Sequence, residues 1–412
     1  MTVSEDGPPA RSGATPSADS TATADSAERL LTPEFWALTA LSSLYFAGTG
    51  VLNALLPIFV VDDIGGTEAT AGFVMGVLAI ASLVSRPFFG RMADRHGARR
   101  ILIIGALVSA LSMVVLLVLP SSVAAAVVSR LILGMGGAAV FTGSAMRSLE
   151  LAPARRQSQA TSLILVSIHV GLGLGPVVGL RILDRFGFDQ VWTAVAVLSL
   201  LSCCVALLIT PTPRTADRTP APLIYRAALV PGVVTLFGVF AFNGFMTFAS
   251  LYGREVGVGD VGIIFVVLSG TIVVVRLVAG GVPDRVGPIV AGSGALGVTV
   301  VAALVVALWA EPAGLFIGAV LLACGLSLQS PSFIPLAVAG VPGHERGAAM
   351  ATFTGFYDIA NALVGPVLGL IVAGVGYRAA FGLSAAMALA ALVMLLSVIA
   401  PRWRAATAAT AA

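Results

Sequence analysis

The chain has 412 residues, 58% of them hydrophobic and only 10% charged, with a formal net charge of +3 and a mean hydropathy of +1.01. Soluble domains carry about 25% charged residues, so this composition belongs in a lipid bilayer. All 23 basic residues are arginine. Without a lysine there is no P-loop and no Schiff-base amine, which excludes a self-contained P-loop ATPase.

Residues 1–33 are rich in Ser, Thr, Ala, Pro and acid and contain no apolar run, which predicts a disordered tail rather than a signal peptide. Twelve apolar segments come after it, over about 34–60, 69–90, 99–119, 122–146, 158–181, 190–210, 228–252, 261–282, 287–309, 313–339, 348–373 and 378–400. Each holds roughly the 20 residues that cross a hydrocarbon core. A polar, proline-rich stretch at 211–227 divides them six and six, so the expected units are 34–210 and 228–400, with a second tail at 401–412. Arginines crowd the loops near 91–100, 147–156, 214–226, 285, 346 and 402–404, whereas the opposite side has only Arg181, Arg185, Arg254 and Arg378. The positive-inside rule then places both termini and the 211–227 linker in the cytoplasm of a plasma-membrane protein. Cys203, Cys204 and Cys324 lie in apolar runs without metal-ligand spacing, and no metal, cofactor or nucleic-acid partner is expected.

One pattern occurs twice. Arg86, Gly90, Asp94, Arg95 and Gly97 return 190 residues later as Arg276, Gly280, Asp284, Arg285 and Gly287. The same offset carries Gly175, Pro176 and Gly179 onto Gly365, Pro366 and Gly369, Asn53 onto Asn243, and Gly72 onto Gly262. A constant offset over nearly half the chain predicts two copies of one six-helix unit. Parallel halves of this kind build many secondary transporters, with the substrate site between them.

The loop from Gly90 to Arg100 resembles the signature loop between spans 2 and 3 of the major facilitator superfamily, and Gly280 to Gly287 resembles its weaker second copy. Arg130 to Ala138 is similar to that superfamily's span-4 arginine motif. Gly171, Gly175, Pro176 and Gly179 resemble the span-5 motif of its drug:proton antiporters, with Leu180 where that motif ends on glycine. The resemblance implies an all-α, twelve-helix fold of two pseudo-symmetric bundles rocking about a central site lined mainly by spans 1, 4, 7 and 10. It also implies that Asp94 helps latch the halves while the cytoplasmic side is closed. Physically, Gly90 is expected to let two helices approach closely, and Gly97 to supply a sharp turn.

Polar residues inside spans are costly unless used. Asp358 alone among the acids sits deep in a span, near the bilayer midplane, where an aspartate costs about 2.5–3.5 kcal/mol. It is the expected proton-coupling residue, with Arg86 or Arg276 as candidate partners. His169, at nearly the corresponding depth in span 5, is the second proton candidate. Arg130 has no acid near its depth, which favours anionic, zwitterionic or hydrogen-bonding neutral substrates over bare cations. Asn53, Asn243, Gln329, Asn361, Tyr45 and Phe141 complete the expected cavity. An intramembrane aspartyl protease reading, from Tyr357-Asp358 and Gly257 to Asp260, fails because Asp260 falls in a loop far from Asp358 in depth. The expected function is not enzymatic: a monomeric, proton-coupled antiporter exporting small organic molecules such as drugs. Symport uptake of a nutrient, and a receptor or scaffold on the same fold, are the alternatives.

Overall fold

The computed structural model describes residues 30–119, 122–153, 156–211, 225–339, 341–342 and 345–404. Most of the expected first tail and of the 211–227 linker, and residues 405–412 of the second tail, lie outside the described residues. Among the described residues the chain is all helical, and twelve stretches are long and apolar enough to span a membrane. Spans 1–6 are Pro33–Asp63, Glu68–Ala93, Ala98–Val118, Val123–Leu151, Gln159–Phe186 and Phe188–Ala206. Spans 7–12 are Arg226–Glu255, Gly262–Ala279, Pro288–Leu308, Pro312–Ala337, Ala349–Val375 and Tyr377–Arg404.

The helix ends obey local rules. The side chains of Thr32, Thr67 and Ser122 each accept a bond from the backbone N–H three residues on, and Pro33, Pro288 and Pro312 open their helices where no donor is needed. Gly97 turns the chain at φ +82° and its repeat partner Gly287 at φ +85°, a region L side chains avoid. The copies differ beside those turns. Span 2 continues helically to His96, whereas span 8 stops at Ala279 and is succeeded by a short helix, Val282–Val286. Gly280, Gly281 and Pro283 explain the break, because Pro283 removes a helical donor just after two residues that favour no helix. Span 7 also breaks, into Arg226–Gly238 and Phe240–Glu255. The last span runs helically to Arg404, so part of the expected second tail is helix.

Helix pairing repeats along with the sequence. Span 1 packs on 5 and 6, span 3 on 4 and 6, and span 2 on 4; likewise span 7 packs on 11 and 12, span 9 on 10 and 12, and span 8 on 10. Between the two sets of six, span 2 meets 11 and span 5 meets 8, and the second helix of span 7 meets spans 1 and 2. Successive spans alternate in direction, so every span has one end on the side of the described termini and one on the far side.

The close contacts between the sets fall in the far half. A Cβ on Gly72 would strike the backbone of Gly365 and Gly369, and one on Gly76 would meet Ala362 and Pro366. Gly173 lies against Ser269 and Phe265, and Gly262 against Val177 and Leu180. Toward the termini side, Gly90 and Gly355 have no atom within 4 Å of such a Cβ. This corrects the expected role of Gly90: it makes no close helix approach here, because the tight glycine contacts between the sets lie toward the far ends of their spans.

Candidate functional site

Asp358 is placed by span 11 where that helix crosses span 2, and it is only 4% exposed. Its Oδ1 accepts a hydrogen bond from Arg86 Nη2 at 2.8 Å, and no other described group bonds its Oδ2. Of the two arginines considered as partners, the structure selects Arg86. The pair joins the two sets of helices through residues 272 apart in sequence. Arg86 also lies over the ring of Phe141 from span 4, with its guanidinium carbon 5.2 Å from the centroid, a cation–π contact.

The pseudo-symmetric counterpart is built differently. Arg276, the repeat partner of Arg86, lies within electrostatic reach of His169 and Tyr357, and its Nε has no hydrogen-bond partner. No carboxylate answers it among the described residues. Tyr357 feels Arg276, Asp358 and Arg86 together, so these groups form one central cluster with two guanidinium cations and one carboxylate. His169 Nδ1 is 2.7 Å from the Leu165 carbonyl of its own helix, which makes Nδ1 the donor and, in the neutral ring, leaves Nε2 as the acceptor.

Arg130 is 1% exposed and sealed beneath spans 1 and 2. Its Nη2 touches the Leu52 carbonyl at 3.4 Å and the sulfur of Met75, while Nε and Nη1 have no partner. Tyr45 is buried and its hydroxyl shares a 2.8 Å bond with Ser109, tying span 1 to span 3. Gln329 serves the break in span 7: its amide donates to Thr299 at 2.9 Å and reaches the Gly238 carbonyl at 3.5 Å. Asn243 is buried with its amide nitrogen unpaired, and Asn53 and Asn361 are half-buried. Phe141 joins the Asp358 cluster, whereas Tyr45 and Gln329 bond within their own sets.

The span-5 motif is a packing device. Gly171, Gly175 and Gly179 bring span 5 against Ser43, Ala47 and Val51 of span 1, where any side chain would collide. In the signature loops, Arg95, Asp284 and Arg285 are exposed. Asp94 lies in the last turn of its helix, and its side chain is outside the described residues. Asp260 caps the start of span 8 by accepting from Gly262 N–H at 2.9 Å, on the far side and away from Asp358.

Sequence reasoning missed two polar clusters. Arg147 binds Glu34, Glu150 and Thr210, drawing together spans 1 and 4 and the end of span 6. Arg254, at the far end of span 7, pairs with Asp62 at the end of span 1. The first left a faint trace, an arginine one turn inside its span; the second left none.

Comparison with known proteins agrees with this architecture. Residues 38–363 match the family model described as Major Facilitator Superfamily. The chain belongs to the major facilitator superfamily. An uncharacterized MFS-type transporter of Salmonella typhimurium is 29% identical over 372 residues, covering 87% of this chain and 95% of that protein. One from Burkholderia mallei is 28% identical over 365 residues, covering 85% and 88%. Among solved structures, a peptide transporter POT in complex with sulfate is similar with a TM-score of 0.76 at 16% identity, covering 90% of this chain and 94% of that one. The human organic anion transporter MFSD10 (TETRAN) gives 0.69 at 17% identity, covering 88% and 100%. Identities this low establish the fold. The superfamily assignment makes the protein a multi-pass membrane transporter, with relatives that are transporters rather than enzymes.

Proposed function

We propose that this superfamily member is a proton-coupled antiporter of the plasma membrane, exporting small organic molecules by alternating access, with both termini cytoplasmic. One observation carries the reading: the single deep carboxylate, Asp358, is ion-paired across the two halves to Arg86. Charge on Asp358 holds spans 2 and 11 together, and a proton on it releases Arg86 and loosens that seam. In this reading, contact at the far ends corresponds to a carrier open to the cytoplasm, its carboxylate unprotonated and ready for substrate. Substrate binding switches the carrier to face the far side; substrate leaves there, and the proton that then enters breaks the Asp358–Arg86 pair and permits the return. The span-5 glycines supply the rigid span 1–span 5 contact on which such a half can rock, and their resemblance to the antiporter motif favours export. Inside-out vesicles with an imposed acid interior test this directly, by accumulating substrate from a chemically diverse panel.

A second reading rests on Arg276, which has no carboxylate partner among the described residues. An anion bound on Arg86 would displace the Asp358 carboxylate from its guanidinium, and one bound on Arg276 would add negative charge to the same region; either promotes protonation of Asp358. Proton and anion would then bind together, which is symport. Neutral or weakly polar substrates carry no such linkage and fit the export cycle. In the same vesicles, an alkaline interior driving uptake of an organic anion selects the symport reading.

A further inference from the structure

Asp62 and Arg254 are 192 residues apart and meet only because spans 1 and 7 come together at the far side. The last turn of span 1, Phe59–Asp63, is a π-turn. Such a turn inserts an extra residue into the helix, rotates the residues beyond it and is frequent at functional sites. Here Asp62 emerges from it directed at Arg254, one residue from the end of the helix Phe240–Glu255. Beneath the ion pair the same helix of span 7 packs on spans 1 and 2, and the Gly72–Gly365 contact lies alongside.

We propose that the Asp62–Arg254 ion pair is the far-side latch of this carrier, a charge contact that must break before the far side opens. Its strength is set by its exposure. The side chains are 45% and 51% exposed, so water and salt screen them. Exposed pairs contribute about 0–1 kcal/mol. The latch is therefore a bias on the opening equilibrium rather than a lock, as suits a contact that breaks in every cycle. The neighbouring Asp63 and Glu255 are exposed, and each is adjacent in sequence to a member of the pair. Three carboxylates thus gather around one guanidinium at the seam, and raised salt should weaken the contact.

The test uses the full chain in lipid nanodiscs, with Cys203, Cys204 and Cys324 replaced by serine. Spin labels go on cysteines introduced at Gln190 and Ala310, both exposed on the far side and in opposite halves. Pulsed electron resonance then reads the distance between halves. Asp62→Arg alone and Arg254→Asp alone should each raise the population of the longer distance about two- to fivefold, the range that a contact of this strength allows. The double variant, which restores a pair with reversed polarity, should return the distribution to that of the parent. Molar salt should move the parent and the single variants toward one another, because it screens the attraction in the parent and the like-charge repulsion in the variants. The proposal is overturned if the single variants keep the parent distribution, or if the double variant opens as much as the singles added together. The readout involves neither protons nor substrate, so its outcome is independent of the antiport reading.

Discussion

The seam between spans 2 and 11 offers the sharpest quantitative prediction. An alanine Cβ at Gly72 would fall on the Gly365 carbonyl and lie 3.1 Å from the Gly369 Cα. These are backbone atoms, which cannot swing aside as a side chain tip can, so Gly72→Ala must push two helices apart. Overpacking of this kind costs about 1–3 kcal/mol. A carrier has a route to relieve it that an ordinary core lacks, because opening the far side separates the helices concerned. Gly72→Ala is therefore expected to shift the balance toward far-side opening by roughly 5- to 150-fold, by the usual tenfold per 1.4 kcal/mol. Thermal stability should change by less than that cost. Modification of a single cysteine at Asn53 by a membrane-impermeant maleimide added from the far side should accelerate accordingly. Gly90→Ala on the same helix is the control: nothing lies within 4 Å of its Cβ, so the labelling rate should not rise. Equal labelling in Gly72→Ala and the parent protein would refute the description of this seam as a tight backbone contact.

Other named contacts carry their own consequences. Arg147→Ala should lower stability by about 2 kcal/mol, chiefly because it strands the half-buried Glu34 without its cation, the exposed Glu150 adding little; an unchanged thermal midpoint in detergent would contradict this. Gln329→Leu removes the bond to Thr299 and the side-chain donor near the Gly238 carbonyl at the break of span 7, for a loss of about 1–3 kcal/mol in the same assay. Phe141→Leu takes the aromatic face from Arg86 and should impair transport, whereas Phe141→Trp should preserve it; equal loss in both variants would mean that packing rather than cation–π contact matters there.

The spans are legible in the sequence because a run of about 20 apolar residues has no other use in so large a chain. The duplicated turn is legible because Gly97 and Gly287 sit where only glycine is at ease. Asp358 stands out because a lone carboxylate at that depth demands a reason, and the sequence narrows its partner to two arginines in equivalent positions. Choosing between them requires the fold, since the repeat makes Arg86 and Arg276 look alike while Arg86 is the one that bonds Asp358. The expected cavity reads less well. An amide or phenol within a span can answer a neighbouring helix as readily as a ligand, and Tyr45 and Gln329 do so with Ser109 and with the break in span 7. Gly90 misleads because close approach depends on which ends of the halves meet. The Asp62–Arg254 contact is invisible in the sequence for the same reason: it exists only once the halves are assembled.

The central claim is that Asp358 carries the proton that drives transport. Asparagine at this position keeps the size of the side chain, cannot titrate and mimics the protonated form. In inside-out vesicles with an acid interior, Asp358→Asn protein should still exchange labelled for unlabelled substrate but should no longer accumulate it in response to the pH gradient. Accumulation by the variant at the rate and extent of the parent protein would contradict the claim and assign proton coupling to another group.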